Sequence, residues 1–397
     1  FYLDEFKKNT SLHDKIEFEI VFTFFKFSTK KKLNKLLYKK FNTKEISQIK
    51  NSLININKFS FENINNEIAL VEKLKLKQKE VENKDLYFVD KVALHIQSCK
   101  NFGTFAFSNL ARSAFISIDI LNSMVEEKIL SVEKKNSFLN RIETISSKIN
   151  FASTKNKSNF LKTYGHLRPD SYEITSPNYK EGYDLYFHEK SKFKRKNKNS
   201  FILTSNEKKN INKFLKKNNF EFNYKDLFSY MEKSIKQREY SKFIFTKSID
   251  LIFENLKKIG KRNNIKIENL SFLNIQDIIN IYNNLVYEDL GSLLKKKIEY
   301  NKSNYRSLYD LDLPEVILDK NDLYYFEETK TKVNFIGNQS ISGKVCYLKE
   351  MKKNTNLKSK IVCIENADPG YDFIFSNDIK GLITKFGGSN SHMAIRC

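Results

Sequence analysis

The sequence ends in a run whose residue types suit phosphoryl chemistry: GGSNSHMAIR, residues 387 to 396. Gly387 and Gly388 carry no Cβ to hold a phosphate away from the backbone, and Ser389, Asn390 and Ser391 are types that cap a helix starting near His392. A neutral imidazole is a nucleophile near pH 7, and free N–H groups at a helix start stabilise a phosphoryl group carried on it. Arg396, four residues on, shares the helical face of His392 and is within reach of a phosphate oxygen. These residues therefore admit a phosphohistidine. A glycine turn with a capping histidine is the alternative reading of the same residues.

A second stretch, TYGHLRPDSYEITSPNY at 163 to 179, is punctuated by Gly165, Pro169 and Pro177 and carries His166, Arg168, Asp170, Tyr172 and Glu173. Rigid irregular loops rich in hydrogen-bonding side chains are where ligand contacts concentrate. The forked guanidinium of Arg168 suits a substrate carboxylate or a phosphoryl group in flight, while a turn in which it pairs with a neighbouring carboxylate is the alternative. Near the start, Asp14, Glu17 and Glu19 crowd His13, as a metal site or as exposed strand positions.

The elements that must position these groups show in the periodicity. From Val333 onward VNFIG, GKVCYL, KIVCIE and GLIT read as short strands and YDFIFSND as a short helix, with Asp368, Pro369 and Gly370 as a sharp turn whose aspartate caps that helix. Upstream the spacing is helical. Leu33, Leu36 and Leu37, then Ile46, Ile49 and Leu53, recur between residues 29 and 85. Leu110, Ala114, Ile118, Leu121 and Val125 mark one face of a long helix within 101 to 130, with Gly103 just before it and Arg112 near its start, facing a ligand or a surface carboxylate. Phe243, Phe245, Ile249, Leu251, Ile252 and Leu256 supply an apolar face within 205 to 300, and Gly260 is the expected stop. Alternation from Lys15 to Ile20 predicts a strand, residues 310 to 332 a connector, and KSKFKRKNKN at 190 to 199 a solvated loop.

A chain of 397 residues can bury two or three cores. Its 70 basic and 47 acidic residues give a net charge of +23, but the charge is spread along the chain and dominated by lysine, which argues against a nucleic-acid tract. Cys99, Cys346, Cys363 and Cys397 lie too far apart for a zinc site or a disulfide framework, as in a reducing cytoplasm. The densest apolar run, residues 16 to 27, is broken by Glu17, Glu19 and Lys26, so no membrane partner is expected.

The run from Ile364 to Cys397 resembles the swivelling phosphohistidine domain of the phosphoenolpyruvate-utilising enzymes, which include phosphoenolpyruvate synthase and pyruvate phosphate dikinase. In that family the histidine of a G-G-x-x-S-H-x-A-I-x-x-R type motif carries the phosphoryl group, and it maps onto His392; the family's later arginine would lie past Cys397, so Arg396 is an imperfect stand-in. LHDKIEFEIVFT, LARSAFISIDIL and the RE-x-x-KF-x-FT string are similar to the branch that includes phosphoenolpyruvate synthase-like proteins and glutamine kinase. The loop at 163 to 179 resembles that branch's L-R-P-G-T-Y-D-I motif: Arg168, Pro169 and Tyr172 match, while Asp170 replaces the glycine, Ser171 the threonine and Glu173 the aspartate.

The resemblance implies an α+β multidomain fold, with a mostly helical central region followed by a truncated α/β swivelling phosphohistidine domain. Its divisions would be 1–95, following a missing ATP-grasp domain, 96–330, the central helical domain, and 331–397, the mobile domain. ATP with Mg²⁺ would phosphorylate His392 in the intact enzyme, and the mobile domain would then deliver the phosphoryl group to a small acceptor, a glutamine-like amide or pyruvate. Gly387, Gly388, Ser389, Ser391, Arg396, Arg168, His166 and Tyr172 would hold phosphate or substrate. No nucleotide loop is read in residues 1 to 397, so the chain alone is expected to be inactive with ATP. A non-catalytic phosphohistidine relay or interaction module is the second reading, and a basic nucleic-acid binder the third.

Overall fold

The computed structural model describes residues 24–37, 41–145, 148–149, 152, 156–187, 201–283, 289–309, 311, 313–314, 317, 319–325, 335–336, 339–348, 355–387, 391 and 393–394. The strand expected at 15 to 20, the carboxylates around His13 and the basic run at 190 to 199 lie outside these residues.

Three long helices make the body: Thr43–Asn83, Phe105–Glu126 and Tyr224–Arg262. Their starts are written locally. Asn42 accepts from the backbone N–H of Glu45 while the Glu45 carboxylate accepts from that of Asn42, and Asn223 with Asp226 repeats this reciprocal cap at the third helix. The shorter helix Ser205–Lys217 starts the same way, with Thr204 and Glu207. The helix Phe88–Ser98 runs through a π-helical turn, Cys99–Thr104, into Phe105–Glu126, so Gly103 sits inside a continuous helical run rather than before it. Gly260 is not a stop either: the helix continues to Arg262, and Asn264 turns the chain at φ 52°.

Leu53, Ile64 and Leu74 of the first helix pack with Leu110, Leu121 and Met124 of the second and Leu227, Met231 and Phe245 of the third in one core. Small hydroxyl residues line the seams and let the backbones approach, with Ser60 Oγ bonded to both Ser113 Oγ and Tyr230 OH at 2.7 Å, and Ser117 Oγ to Ser234 Oγ at 2.7 Å. A second apolar cluster joins the far end of Tyr224–Arg262, through Leu256 and Ile259, to the helices Ile275–Asn283 and Leu290–Tyr309. The division expected at 95/96 falls inside Phe88–Ser98, and residues 43–83 share their core with residues on its other side.

The strands β1 (Val345–Tyr347), β2 (Ile361–Asn366) and β3 (Gly381–Phe386) form a parallel sheet in the order β1-β2-β3, with Val345 beside Ile361 and Ile361 beside Gly381. A tight helical segment, Pro369–Asn377, crosses from β2 to β3. Phe335 and Ile336, expected within a strand, are exposed and outside the sheet. Among the described residues the chain is thus mostly helical with one small parallel sheet. Val362 and Ile364 turn inward with Phe373 and Met393, and their cover is Ile149 and the segment 156–187, through Phe160, Tyr179 and Tyr186. The division expected at 330/331 therefore separates two parts of one core. Among the described residues no helix is long and apolar enough to cross a membrane.

Candidate functional site

The carboxyl end of β2, beside that of β3, meets the 163–179 loop, at the edge where parallel sheets usually place ligands. Beyond Asn366 the chain makes the Asp368–Pro369–Gly370 turn. The Asp368 side chain caps the following segment by accepting from Gly370 N at 2.8 Å, as expected from the sequence, and also accepts from Ser171 Oγ at 2.9 Å. Both Ser171 and Asp368 are buried. Gly370 has no room for a side chain: a Cβ there would lie 1.6 Å from the carbonyl oxygen of Arg168. Tyr179 OH donates to the Gly370 carbonyl at 2.7 Å, closing the seam.

Asp170 stands at the centre. Its φ is 51°, in the left-handed region that glycine enters freely and aspartate tolerates, which allows the chain to turn where the resembled motif has glycine. Its carboxylate accepts from Tyr371 OH at 2.8 Å and from Asn366 Nδ2 at 3.3 Å, tying the loop to both sides of the Asp368 turn. Burial, and then the Asp170 carboxylate, raise the pKa of the Tyr371 hydroxyl, so it stays protonated and donating.

Gly387 follows β3 with φ 126°, and a Cβ on it would lie 2.5 Å from Ala367 Cβ, so the glycine turn closes onto the Asp368 turn. Ser391 Oγ accepts from Ala394 N at 3.3 Å, the capping geometry expected of it. Met393 is fully buried against the inner face of the sheet. His392, Gly388, Ser389 and Arg396 lie outside the described residues.

Arg168 takes the pairing alternative. Only 2% exposed, it forms a buried ion pair with Asp250, donates to the Ser176 carbonyl at 3.2 Å and lies over the Phe253 ring at 5.0 Å. Asn178 Nδ2 completes the centre by donating to Asp250 at 3.0 Å. Burial outweighs these partners and raises the Asp250 pKa. A guanidinium so engaged fixes the loop to the Tyr224–Arg262 helix. His166 is likewise anchored, its Nε2 donating to the Phe243 carbonyl at 3.0 Å while its ring packs edge-on to Phe243. Desolvation lowers its pKa to about 3, leaving the imidazole neutral at pH 7. Tyr172, in contrast, is 68% exposed beside these anchors.

Two cations missed as site residues in the sequence lie on the Tyr224–Arg262 helix, and one of them, Lys242, is near enough to the edge to feel the Asp368 and Asp372 carboxylates. Arg238 and Lys242 are half-buried, one turn apart on Tyr224–Arg262. The Arg238 guanidinium lies over the Phe115 ring at 5.2 Å, and among the described residues neither cation has a hydrogen bond or ion pair to its charged group. Desolvation lowers both pKa values, and for Lys242 it is opposed by the fields of Asp368 and Asp372 at the turn. The signal was in the pattern: Leu227, Met231, Ser234, Ser241, Phe245 and Ser248 are buried at alternating steps of three and four, and Arg238 occupies the one place in that stripe held by a charge.

Among the described residues no group of three or more His, Cys, Asp or Glu side chains is placed to hold a metal ion. What the arrangement offers is an edge of a parallel sheet with two close-packed glycine turns and the desolvated cation Lys242 near it. Such an edge is suited to an anion. No protein-family model matches the chain, and no curated protein matches it.

Proposed function

We propose that this chain carries part of a phosphotransferase in which His392 accepts a phosphoryl group and passes it to a small acceptor held near Tyr172, Arg238 and Lys242. The observation that carries this reading is the meeting of two sequence motifs distant in the chain. The R-P-D-S-Y loop and the D-P-G turn that precedes the G-G-S-N-S-H run share buried hydrogen bonds, Ser171 to Asp368 and Tyr371 to Asp170. Asp170 at φ 51° supports the likeness to a glycine-containing loop.

In the first transfer an imidazole nitrogen of His392 attacks phosphorus, an N–P bond forms, and the bond from phosphorus to the donor oxygen breaks with its electron pair leaving on the donor. In the second, an acceptor oxygen attacks phosphorus, the N–P bond breaks, and the imidazole regains its electron pair. ATP with Mg²⁺ is the donor of this reading, held by a separate domain, and a glutamine-like amide or pyruvate is the acceptor. Arg238 and Lys242 would hold the phosphoryl oxygens or an acceptor carboxylate, the task the sequence assigned to Arg168, while Arg168 and His166 position the loop. On this reading the multidomain division has the sheet unit as a carrier, and its docking on residues 163–179 is the station that faces the acceptor. Charge neutralisation of a transferring phosphoryl group by such a preorganised pair typically supplies several kcal/mol, about 2–4 for each donor removed.

Phosphoramidate, which phosphorylates accessible imidazoles, tests the carrier without a nucleotide domain. Incubation of the chain should give an acid-labile phosphate at one of its five histidines, and His392→Ala should remove it. Label that survives this substitution, or that spreads evenly over the histidines, rejects His392 as the carrier. Label that forms at His392 but is released at the same rate with or without glutamine or pyruvate favours the relay reading over the enzyme.

A further inference from the structure

The sequence leaves Arg112 with two roles, towards a ligand or towards a surface carboxylate, and the phosphotransferase reading uses neither. Arg112 lines a cleft of about 240 Å³ in the groove between Thr43–Asn83 and Phe105–Glu126, with Phe59 on the facing helix. Ser60 and Ser113 line it too, and the 2.7 Å bond between their hydroxyls joins the two helices at that level. Phe59 and Arg112 each precede one of these serines, so they rise from the two walls at the same height, one helix spacing of about 8–10 Å apart. The Phe59 ring is 61% exposed, an open apolar wall. Arg112 is exposed as well and makes no hydrogen bond or ion pair among the described residues. The surface-carboxylate role is unfilled there: Glu67, the one acid of the lining, accepts from Asn109 Nδ2 at 2.8 Å with one oxygen and buries the other. Burial raises the Glu67 pKa, which weakens its opposition to an anion.

We propose that this cleft binds a small monocarboxylate with an apolar body, its carboxylate on the Arg112 guanidinium and its body across the Ser60–Ser113 level against Phe59. A planar carboxylate accepts both arms of the guanidinium fork, which neither an alcohol nor an amine can do. Arg112 is the one cation in the lining, so a single negative charge is matched. The cleft is smaller than the about 300–1,000 Å³ taken by drug-sized ligands, which restricts the body to one ring or a short chain.

The probe is 3-phenylpropionate, titrated into the whole chain by calorimetry at pH 7.5 and low salt. Saturable binding of one ligand per chain is expected. Arg112→Gln should weaken it about tenfold, the loss of a charge-assisted pair, and Phe59→Ala should weaken it several-fold. Both side chains are on the surface, so the core is untouched. A chain of net charge +23 attracts any anion, so Arg306→Gln, which removes the same charge from an exposed position on Leu290–Tyr309, is the control and should leave the affinity unchanged. Absence of saturable binding, an Arg112→Gln loss no larger than that of Arg306→Gln, unchanged affinity in Phe59→Ala, or equal binding of 3-phenylpropan-1-ol overturns the proposal. His392 labelling by phosphoramidate is expected to be the same in all three variants, so this site and the phosphohistidine reading stand or fall separately.

Discussion

Along the three-helix body, polar side chains pair with each other across the seams, as Ser117 does with Ser234 and Gln78 with the Ile244 carbonyl and Ser248. At the sheet they are gathered at one edge instead, where Asp170, Ser171, Tyr179, Asp368 and Tyr371 tie the 163–179 loop to the turns after β2. The burial differs in the same way. The helices bury a long stripe of apolar and small hydroxyl side chains, whereas the sheet buries Val362 and Ile364 on one face and, among the described residues, leaves Val345, Tyr347 and Ile383 at 60%, 63% and 53% exposure on the other. A body stabilised by repeated, spread-out contacts loses little when one is removed; a seam that depends on a few convergent bonds loses much. The candidate site lies on that seam, where a few convergent bonds join the 163–179 loop to the turn after β2.

The hardest test of this contrast is Asp250→Ala. Leaving the buried Arg168 guanidinium uncompensated should cost about 3–5 kcal/mol. Hydrogen exchange should locate the loss in residues 163–179 and in the sheet they cover, with the amides of Thr43–Asn83 still protected. An even loss of protection across both regions would mean that seam and body are one cooperative unit.

Gly370→Ala attacks the seam from the other side. Its Cβ would have to displace the Arg168 carbonyl, and overpacking of this kind costs about 1–3 kcal/mol, with this backbone clash at the upper end. Urea denaturation followed by far-UV dichroism should show a first, small transition from the sheet unit before the helices melt. A single transition with an unchanged midpoint would show that the loop yields without strain.

Tyr371→Phe sharpens the comparison at lower cost. Losing the hydrogen bond to Asp170 should destabilise by about 0.5–1.5 kcal/mol, and phosphoramidate labelling of His392 should persist, because the hydroxyl holds the seam and not the phosphoryl group. Labelling lost with a folded protein would make Tyr371 part of the chemistry.

The remaining effect is one of pH. His166 has a folded pKa lowered to about 3, below its ordinary value near 6.5, so the unfolded chain binds more protons between these limits and stability is present above pH 6.5 and declines as pH falls toward 3. In His166→Gln, whose amide can still donate to the Phe243 carbonyl, the drop in urea midpoint between pH 7.5 and 5 should shrink. An equal drop in both proteins would place the acid sensitivity elsewhere.

Local chemistry determined much of this protein without help from tertiary structure. The reciprocal caps at Asn42, Thr204 and Asn223 start helices using residues three apart, and the apolar period at 101 to 130 marks Leu110, Ala114 and Leu121 as buried, whereas of the six apolar residues read between 243 and 256 only Phe245 and Leu256 are. The change of period from Val333 onward was equally legible, with KIVCIE and GLIT becoming β2 and β3 and Asp368 capping the segment between them. Such signals act within a few residues of one another, so they survive in the sequence as spacing. The role of Arg168 does not. An arginine in a proline-punctuated loop is compatible with a substrate or with a partner, and the choice was made by Asp250, 82 residues away on another helix. Asp170 and Tyr371 meet across 201 residues, and Arg238 differs from a surface arginine only because the body packs around its stripe. Burial and long-range pairing depend on how the whole chain closes, so the spacing that puts Arg238 in a buried stripe does not say what it meets there.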